Sequence, residues 1–353
     1  MRILFGVFDW GLGHATRDMP LIQELLREGH RVDIISTGRA LNFLKMHFVD
    51  KCRYFDVRSV YPPYTRTKFF ATKFFLSIPR LLFDLVMARR ISRKIIKNGN
   101  YDKLISDCRY DVYDRKNNSF LINHQLTFMS PVCKKAVAYC NYLLMKPFGS
   151  IIVPDFESRP LTGKLSVNRR YKGKVAYIGH ISNLKKSCAK HSIDYFISIS
   201  GPEPQRAQLE QLIMKQVSCL KGKIVVACGN PDKKYFRQME NRIRVFSFLD
   251  QKRQAKYMNS AKFVISRSGY TTAMELAELG KKKVLLIPTP GQPEQEYLAY
   301  LCQKAGFFHR ARQHKIDIVK EIDAAKKYRG YNPPWKAEES VNRFMQVIKL
   351  ENR

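Results

Sequence analysis

The stretch RILFGVFDWGLGHATRDMPLIQELLREGHRVDIIS, residues 2–36, reads as a strand, a tight turn, an amphipathic helix and a second strand. Both apolar runs are short and nearly continuous, the pattern of strands covered on two faces. The turn carries Gly11 and Gly13 and then, at once, His14. A dinucleotide fingerprint would place a third glycine where Thr16 stands, and an acid at the end of a strand that instead closes in Ser36, with Asp33 inside it. NAD binding is therefore disfavoured. The glycines still allow a backbone to approach a ligand closely, and they set His14 at the mouth of the sheet. An imidazole there serves as a general base near neutral pH, or simply as a hydrogen-bonding group at the start of the helix.

The same alternation continues along the chain. Further strands are expected at 103–106, 120–123 and 150–155, and a second series at 195–200, 223–228, 244–248, 262–267 and 283–288. Helical segments lie between them, so the fold class is α/β: two doubly wound, Rossmann-like domains with parallel sheets. The expected boundaries are 1–165 and 180–335, with an irregular link between them and a helix over 336–353 after a proline pair. In such sheets ligands sit beyond the carboxyl ends of the strands, so the loops leaving them are where chemistry is sought.

Three loops of the second series stand out. In SRSGYTTAMELAELG, 266–280, Ser268 and Gly269 turn the chain into a helix that begins near Thr271 and Thr272. First-turn N–H groups and hydroxyls there suit an anion, and Glu275 on the same face suits a ribose diol. Thr272 to Glu275 is equally a capping box that needs no ligand. In PTPGQPEQEYLAY, 288–300, Gln295 and Glu296 fall on the first turn of a helix behind a rigid proline–glycine turn, a suitable place to read sugar hydroxyls. Acids there are also what the helix dipole favours unaided. Ser200 and Gly201 close another strand, with Arg206 as a phosphate partner. In the first series Asp107, and His124 with Gln125, stand at strand ends; Asp107 can orient His14 or be an ordinary turn aspartate.

Taken together, Gly11, Gly13 and His14, then SGP at 200–202, then RSGYTTAMELAELGKKKVLLIPTPGQPEQEYLA, resemble the GT-B glycosyltransferases, and among them family 28. The resemblance is most specific over 262–306 and covers 1–30 and 195–215 less closely. That family includes enzymes that glycosylate lipid-linked precursors and diacylglycerol. The resemblance implies two domains facing a central cleft and an inverting, metal-independent transfer of a hexose from a nucleotide diphosphate sugar, in particular a UDP-sugar. It further implies that Ser200, Gly201, Gly269 and Thr271 line the diphosphate, Glu275 holds the ribose, and Gln295 with Glu296 hold the donor sugar. His14 then matches the base. The chain departs from the family in having two glycines before that histidine, and in Pro202-Glu203 where relatives carry smaller residues.

Charge is the unusual global property. Sixty-three Lys and Arg against thirty Asp and Glu leave +33, a field that draws polyanions. Residues 66–97 concentrate it: nine cations and one acid, Asp84, interleave with Phe69, Phe70, Phe74, Phe75, Leu81, Leu82 and Phe83. Such a segment suits an anionic membrane surface, or a core-facing helix with a solvated basic face. No nucleic-acid-binding motif accompanies it, so nucleic acid is not an expected partner. The eight cysteines form no C-x-x-C pair, which argues against structural zinc and for a reducing compartment. No signal-like or membrane-spanning run appears, so the expected location is cytoplasmic, peripheral on the inner membrane face, near a lipid or lipid-linked acceptor. Two other functions fit the same fold: a nucleotide-sugar 2-epimerase, and a non-catalytic polyanion- or membrane-binding protein.

Overall fold

The protein was analysed as a computed structural model that describes residues 1–60, 70–114, 118–128, 134–158, 160–187 and 192–350, with the side chains of 70–75 and 315 set aside. It divides into two compact units, Met1–Asn183 with Pro334–Arg353, and Leu184–Pro333.

The first unit holds strands β1 (Arg2–Val7), β2 (Arg31–Ser36), β3 (Arg53–Asp56), β4 (Lys103–Asp107), β5 (Ser119–Ile122), β6 (Ser150–Val153) and β7 (Val175–Tyr177). They form one parallel sheet in the order β3-β2-β1-β4-β5-β6-β7. Helices α1 (Gly13–Arg27), α2 (Gly38–Phe48), α3 (Phe70–Gly99) and α4 (Lys134–Met145) connect them. Successive strand residues point to opposite faces. Ile3, Phe5 and Val7 therefore pack with Leu21, Ile22 and Leu44 of α1 and α2. Leu4, Ile35 and Leu104 pack on the other face with Ile95 and Ile96 of α3.

The second unit repeats the plan. Strands β8 (Ile193–Ser198), β9 (Ile224–Ala227), β10 (Phe236–Met239), β11 (Ile243–Phe246), β12 (Ala261–Ser266), β13 (Val284–Leu286) and β14 (His309–Arg310) lie in the order β10-β11-β9-β8-β12-β13-β14. Only β10, which pairs with β11, runs antiparallel. Helices α5 (Gln205–Gln216), α6 (Gln251–Ser260), α7 (Tyr270–Glu278), α8 (Pro293–Lys304) and α9 (Ile318–Ala325) link the strands. A last helix, α10 (Ala337–Leu350), returns to the first unit, where Phe344, Met345 and Ile348 join Leu21, Ile22 and Leu25. Trp335 anchors that return by donating from Nε1 to the carbonyl of Ile178 at 3.2 Å. Gly179 (φ +86°) lies so close to this indole that a Cβ would stand 2.3 Å from Nε1.

All ten apolar runs are strands, and both sheets are doubly wound. The boundaries differ from the sequence expectation of 165 and 180. Strand β7 extends the first sheet past residue 165, and α10 belongs to the first unit's core instead of standing apart. In each sheet the chain reverses direction of growth once, between β1 and β4 and between β8 and β12. Ligands of open α/β sheets bind beyond the strand ends at such points.

Candidate active site

The loop after β1 and the end of β4 meet at the first of these points. Val7 is the register partner of Asp107, and Asp107 that of Ile122. This register brings the residues after β1, Asp107 and the residues after β5 together. Gly11 takes φ +90°, and α1 begins two residues later, so His14 lies in its first turn. The imidazole caps no helix; its Nδ1 lies 2.8 Å from Asp107 Oδ2. The His14 side chain is 18% exposed, whereas Asp107 is fully buried. Thr16 closes the turn by donating to the Gly13 carbonyl at 3.0 Å.

Two residues that the sequence reading passed over complete this cluster. Arg17, fully buried, donates to both oxygens of Asp107, through Nε at 3.0 Å to Oδ2 and through Nη2 to Oδ1. Its Nη1 faces His124 Nδ1 at 3.2 Å. Asp18 is fully buried, and neither of its oxygens has a hydrogen-bond partner among the described residues. The signal was the spacing: Arg17 and Asp18 follow His14 by three and four residues, on the same face of one helix. Gln125 takes a local role, donating from its backbone to Asn123 Oδ1 at 2.7 Å.

The electrostatics follow from burial and these contacts. Burial alone would raise the Asp107 carboxyl, but Arg17 and then His14 hold it well below the usual carboxylate range. Burial lowers His14, an effect that Asp107 opposes and Arg17 reinforces. Burial, then the charge of Asp107, pushes the Asp18 carboxyl well above its ordinary value. His14, Asp107 and Cys108 bring possible ligand atoms within 4.8 Å of one another. They do not suit a cation, because a guanidinium takes both oxygens of Asp107 and burial keeps the Cys108 thiol protonated. The trio works as a hydrogen-bond system instead.

The loops after β8, β12 and β13 form the second point. Arg267, buried, ties the three together: Nε donates to the Ser200 carbonyl at 3.0 Å, Nη2 to Gln205 at 2.9 Å, and Nη1 to Ile287 and Pro288 at 3.2 and 3.3 Å. These partners are carbonyls, and burial lowers its pKa to about 10. The loops therefore enclose a positive charge that no carboxylate among the described residues offsets. Gly201 takes φ +116°, a backbone conformation that favours glycine, and a Cβ there would come into ordinary contact with Thr289 and Arg267.

Helix α7 starts after Gly269, with no side-chain hydrogen bond at its cap. The Thr272–Glu275 capping box does not form: Thr272 lies inside the helix, half-buried like Thr271. Glu275 is buried; its carboxyl takes no hydrogen bond or ion pair from any described residue and is pushed by burial up to about 7. Ser268 donates to the Gln295 carbonyl at 2.8 Å, and Gln295 Oε1 accepts from the Thr289 N–H at 3.0 Å. Gln295 Nε2 donates to Gln292 at 2.6 Å, and Glu296 accepts from the Gly291 N–H at 3.1 Å. These polar groups are thus part of the loop's own scaffold. Arg206 is not placed to hold a phosphate. It pairs with Glu203 at 2.5 Å and Glu210 at 2.6 Å, donates to the Cys228 carbonyl at 2.9 Å, and is 6% exposed.

Helix α3 has a divided surface. Ala88 and Ser92 are buried, while Leu82 and Phe83 are 58% and 65% exposed beside exposed Arg80, Arg90 and Arg93. Leu76 and Val86 are exposed as well. A groove of about 580 Å³ runs between α3 and α4, lined by Val86, Arg89, Arg90 and Arg93 and by Leu143 and Tyr113. Residues 66–69 and the side chains of Phe70, Phe74 and Phe75 lie outside the described residues. No described helix is long and apolar enough to cross a membrane.

Residues 203–332 match the glycosyltransferase family 28 C-terminal domain, and residues 1–72 match the family described as glycosyl transferase family 1. No curated protein matches the chain by sequence. Among solved structures, the glycotransferase of kitacinnamycin is similar over 100% of this chain and 98% of its own, with a TM-score of 0.65 at 13% identity. The MurG of Acinetobacter baumannii gives 0.57 at 13% identity, over 99% of this chain and 98% of its own. The spinosyn rhamnosyltransferase SpnG, complexed with thymidine diphosphate, gives 0.63 at 13% identity, over 99% and 96%. At this identity the likeness is one of fold.

Proposed function

We propose that the chain, of the GT-B fold, is an inverting glycosyltransferase moving a hexose from a nucleotide diphosphate sugar, a UDP-sugar, to a lipid or lipid-linked acceptor at the cytoplasmic face of an anionic membrane. The observation that carries the donor half is Glu275. A carboxyl on a residue only 9% exposed, raised by burial and paired with no described side chain, ionises at a cost, and a ribose diol would give it two hydrogen bonds. It stands on the helix whose open N-terminus, with Ser200, Gly201, Gly269 and Thr271, would take the diphosphate. The buried charge of Arg267 favours the same anion. A relative in fold holds thymidine diphosphate, which supports the ligand class.

The acceptor half rests on His14. With Nδ1 turned to Asp107, Nε2 is the nitrogen left for the acceptor hydroxyl. His14 takes the hydroxyl proton as the oxygen attacks the anomeric carbon. The bond from that carbon to the phosphate oxygen breaks, and its electron pair leaves with the diphosphate. Helix-start N–H groups and hydroxyls would stabilise the departing charge, the task a metal performs elsewhere, so the reaction is read as metal-independent. The exposed apolar and basic face of α3 would rest on anionic lipid, and the arginine-lined groove beside it suits an acceptor that is both apolar and anionic.

Thermal unfolding with a panel of nucleotides and nucleotide sugars tests the donor assignment. A ligand of the native state at about one hundred times its Kd adds about 2.7 kcal/mol. The expected result is a rise in melting temperature with UDP and a UDP-sugar and a smaller rise with uridine. No rise with any nucleotide would overturn the reading. A sugar-only incubation separates transfer from epimerisation, which needs no acceptor.

A further inference from the structure

We propose that Arg17 is a positioning residue for His14: by taking both oxygens of Asp107 it offsets the charge that would otherwise favour a proton on the imidazole, so that His14 meets its substrate as the free base. The role deepens the glycosyltransfer reading and rests on it for the identity of the proton taken.

In a bare histidine–aspartate pair the carboxylate stabilises the imidazolium and raises its pKa. Such a histidine carries its proton over more of the neutral range and is less available as a base. Here the carboxylate faces a permanent cation. The titratable and charged groups around His14 are Asp107, Arg17, Asp18, Cys108 and His124. Burial is the main cause that raises both Asp18 and Cys108, which disfavours their charged forms. A guanidinium only donates, so the His124 Nδ1 that faces Arg17 at 3.2 Å is the accepting nitrogen. Burial is the largest influence lowering His14; Asp107 pulls the other way, and Arg17, bound to both its oxygens, offsets that pull. The N-terminus of α1, on whose first turn His14 sits, disfavours a cation in the same sense. Geometry reinforces this: Arg17 Nε and His14 Nδ1 share Asp107 Oδ2, at 3.0 and 2.8 Å. The carboxylate is thereby held in the orientation that points Nε2 of His14 away from it.

The test is the pH dependence of kcat/KM for the full chain and for Arg17→Gln and Arg17→Lys. Removing the charge should move the acidic limb upward by about one pH unit or more. Lysine, which keeps the charge but loses the two-pronged grip, should lower the rate and leave the limb in place. A merely structural Arg17 would lower the rate in both without moving either limb. An unmoved limb in a folded Arg17→Gln protein, or an equal displacement in Arg17→Lys, would overturn the proposal. Should the glutamine variant not fold, imidazole NMR on the unaltered protein decides, with His14→Gln to identify the resonance. A midpoint above the free value of about 6.5 defeats the proposal; one below it is what burial and Arg17 together produce, and supports it. This measurement needs no turnover, so absent transferase activity would reject the glycosyltransfer reading separately.

Discussion

Glu275 ionises at greater cost in the folded chain than in the unfolded one, because burial lifts its pKa from 4.5 to about 7. A raised carboxyl pKa means that the native state binds the proton more tightly, so stability is full below the unfolded value and falls as pH rises towards the folded one. At about 1.4 kcal/mol per unit, the loss between pH 4.5 and 7 is about 3 kcal/mol. Glu275→Gln should therefore be more stable than the parent at pH 8 by roughly that amount and nearly equal to it below pH 4.5, read by denaturant unfolding of both. The same substitution should weaken UDP binding, whereas an ordinary capping glutamate would lose stability at every pH and leave affinity alone. His14→Ala should lose about 10²–10⁴-fold in kcat and retain its affinity for UDP. Near-normal turnover in that variant would remove His14 from the reaction.

At the level of the element, the sequence was readable where strands are covered on both faces. All four unread strands, β3, β7, β10 and β14, lie at sheet edges. They are short and half-exposed, so no continuous apolar run marks them. The loops of the candidate site were legible for the opposite reason: each follows an interior, largely apolar strand. What stayed hidden was polar pairing across distance, such as Arg17 with Asp107, ninety residues apart in the chain. Arg206 misled for another reason: local partners, Glu203 just before α5 and Glu210 within it, already take its guanidinium. Arg206→Ala should cost about 2–3 kcal/mol of stability, less than a fully buried pair because Glu203 is 53% exposed, and should leave UDP affinity unchanged. On α3, Leu82→Asp with Phe83→Asp should lower affinity for phosphatidylserine vesicles by about tenfold or more without altering donor binding. Unchanged flotation with such vesicles would assign that face to another partner.

For the whole molecule, the sequence conveyed two doubly wound units but misjudged where the first one ends. Phe344 sits in the first unit although it lies past the whole of the second. Phe344→Ala should destabilise that core by roughly 3–5 kcal/mol and leave UDP-dependent stabilisation of the second unit in place, seen as one displaced calorimetric transition out of two. Displacement of both together would mean that the units unfold as one body.

The return of α10 also sets an order of events during synthesis. Leu21, Ile22 and Leu25 are made before the second unit, whereas Phe344, Met345 and Ile348, which pack with them, follow it. Until α10 is made, that face of α1 has its neighbours on β1 and α2 but lacks its third partner, while all the residues of the second unit are already available to fold. The nascent chain thus carries a half-covered apolar seam while the second unit is made, and a chaperone that binds such seams has its target there.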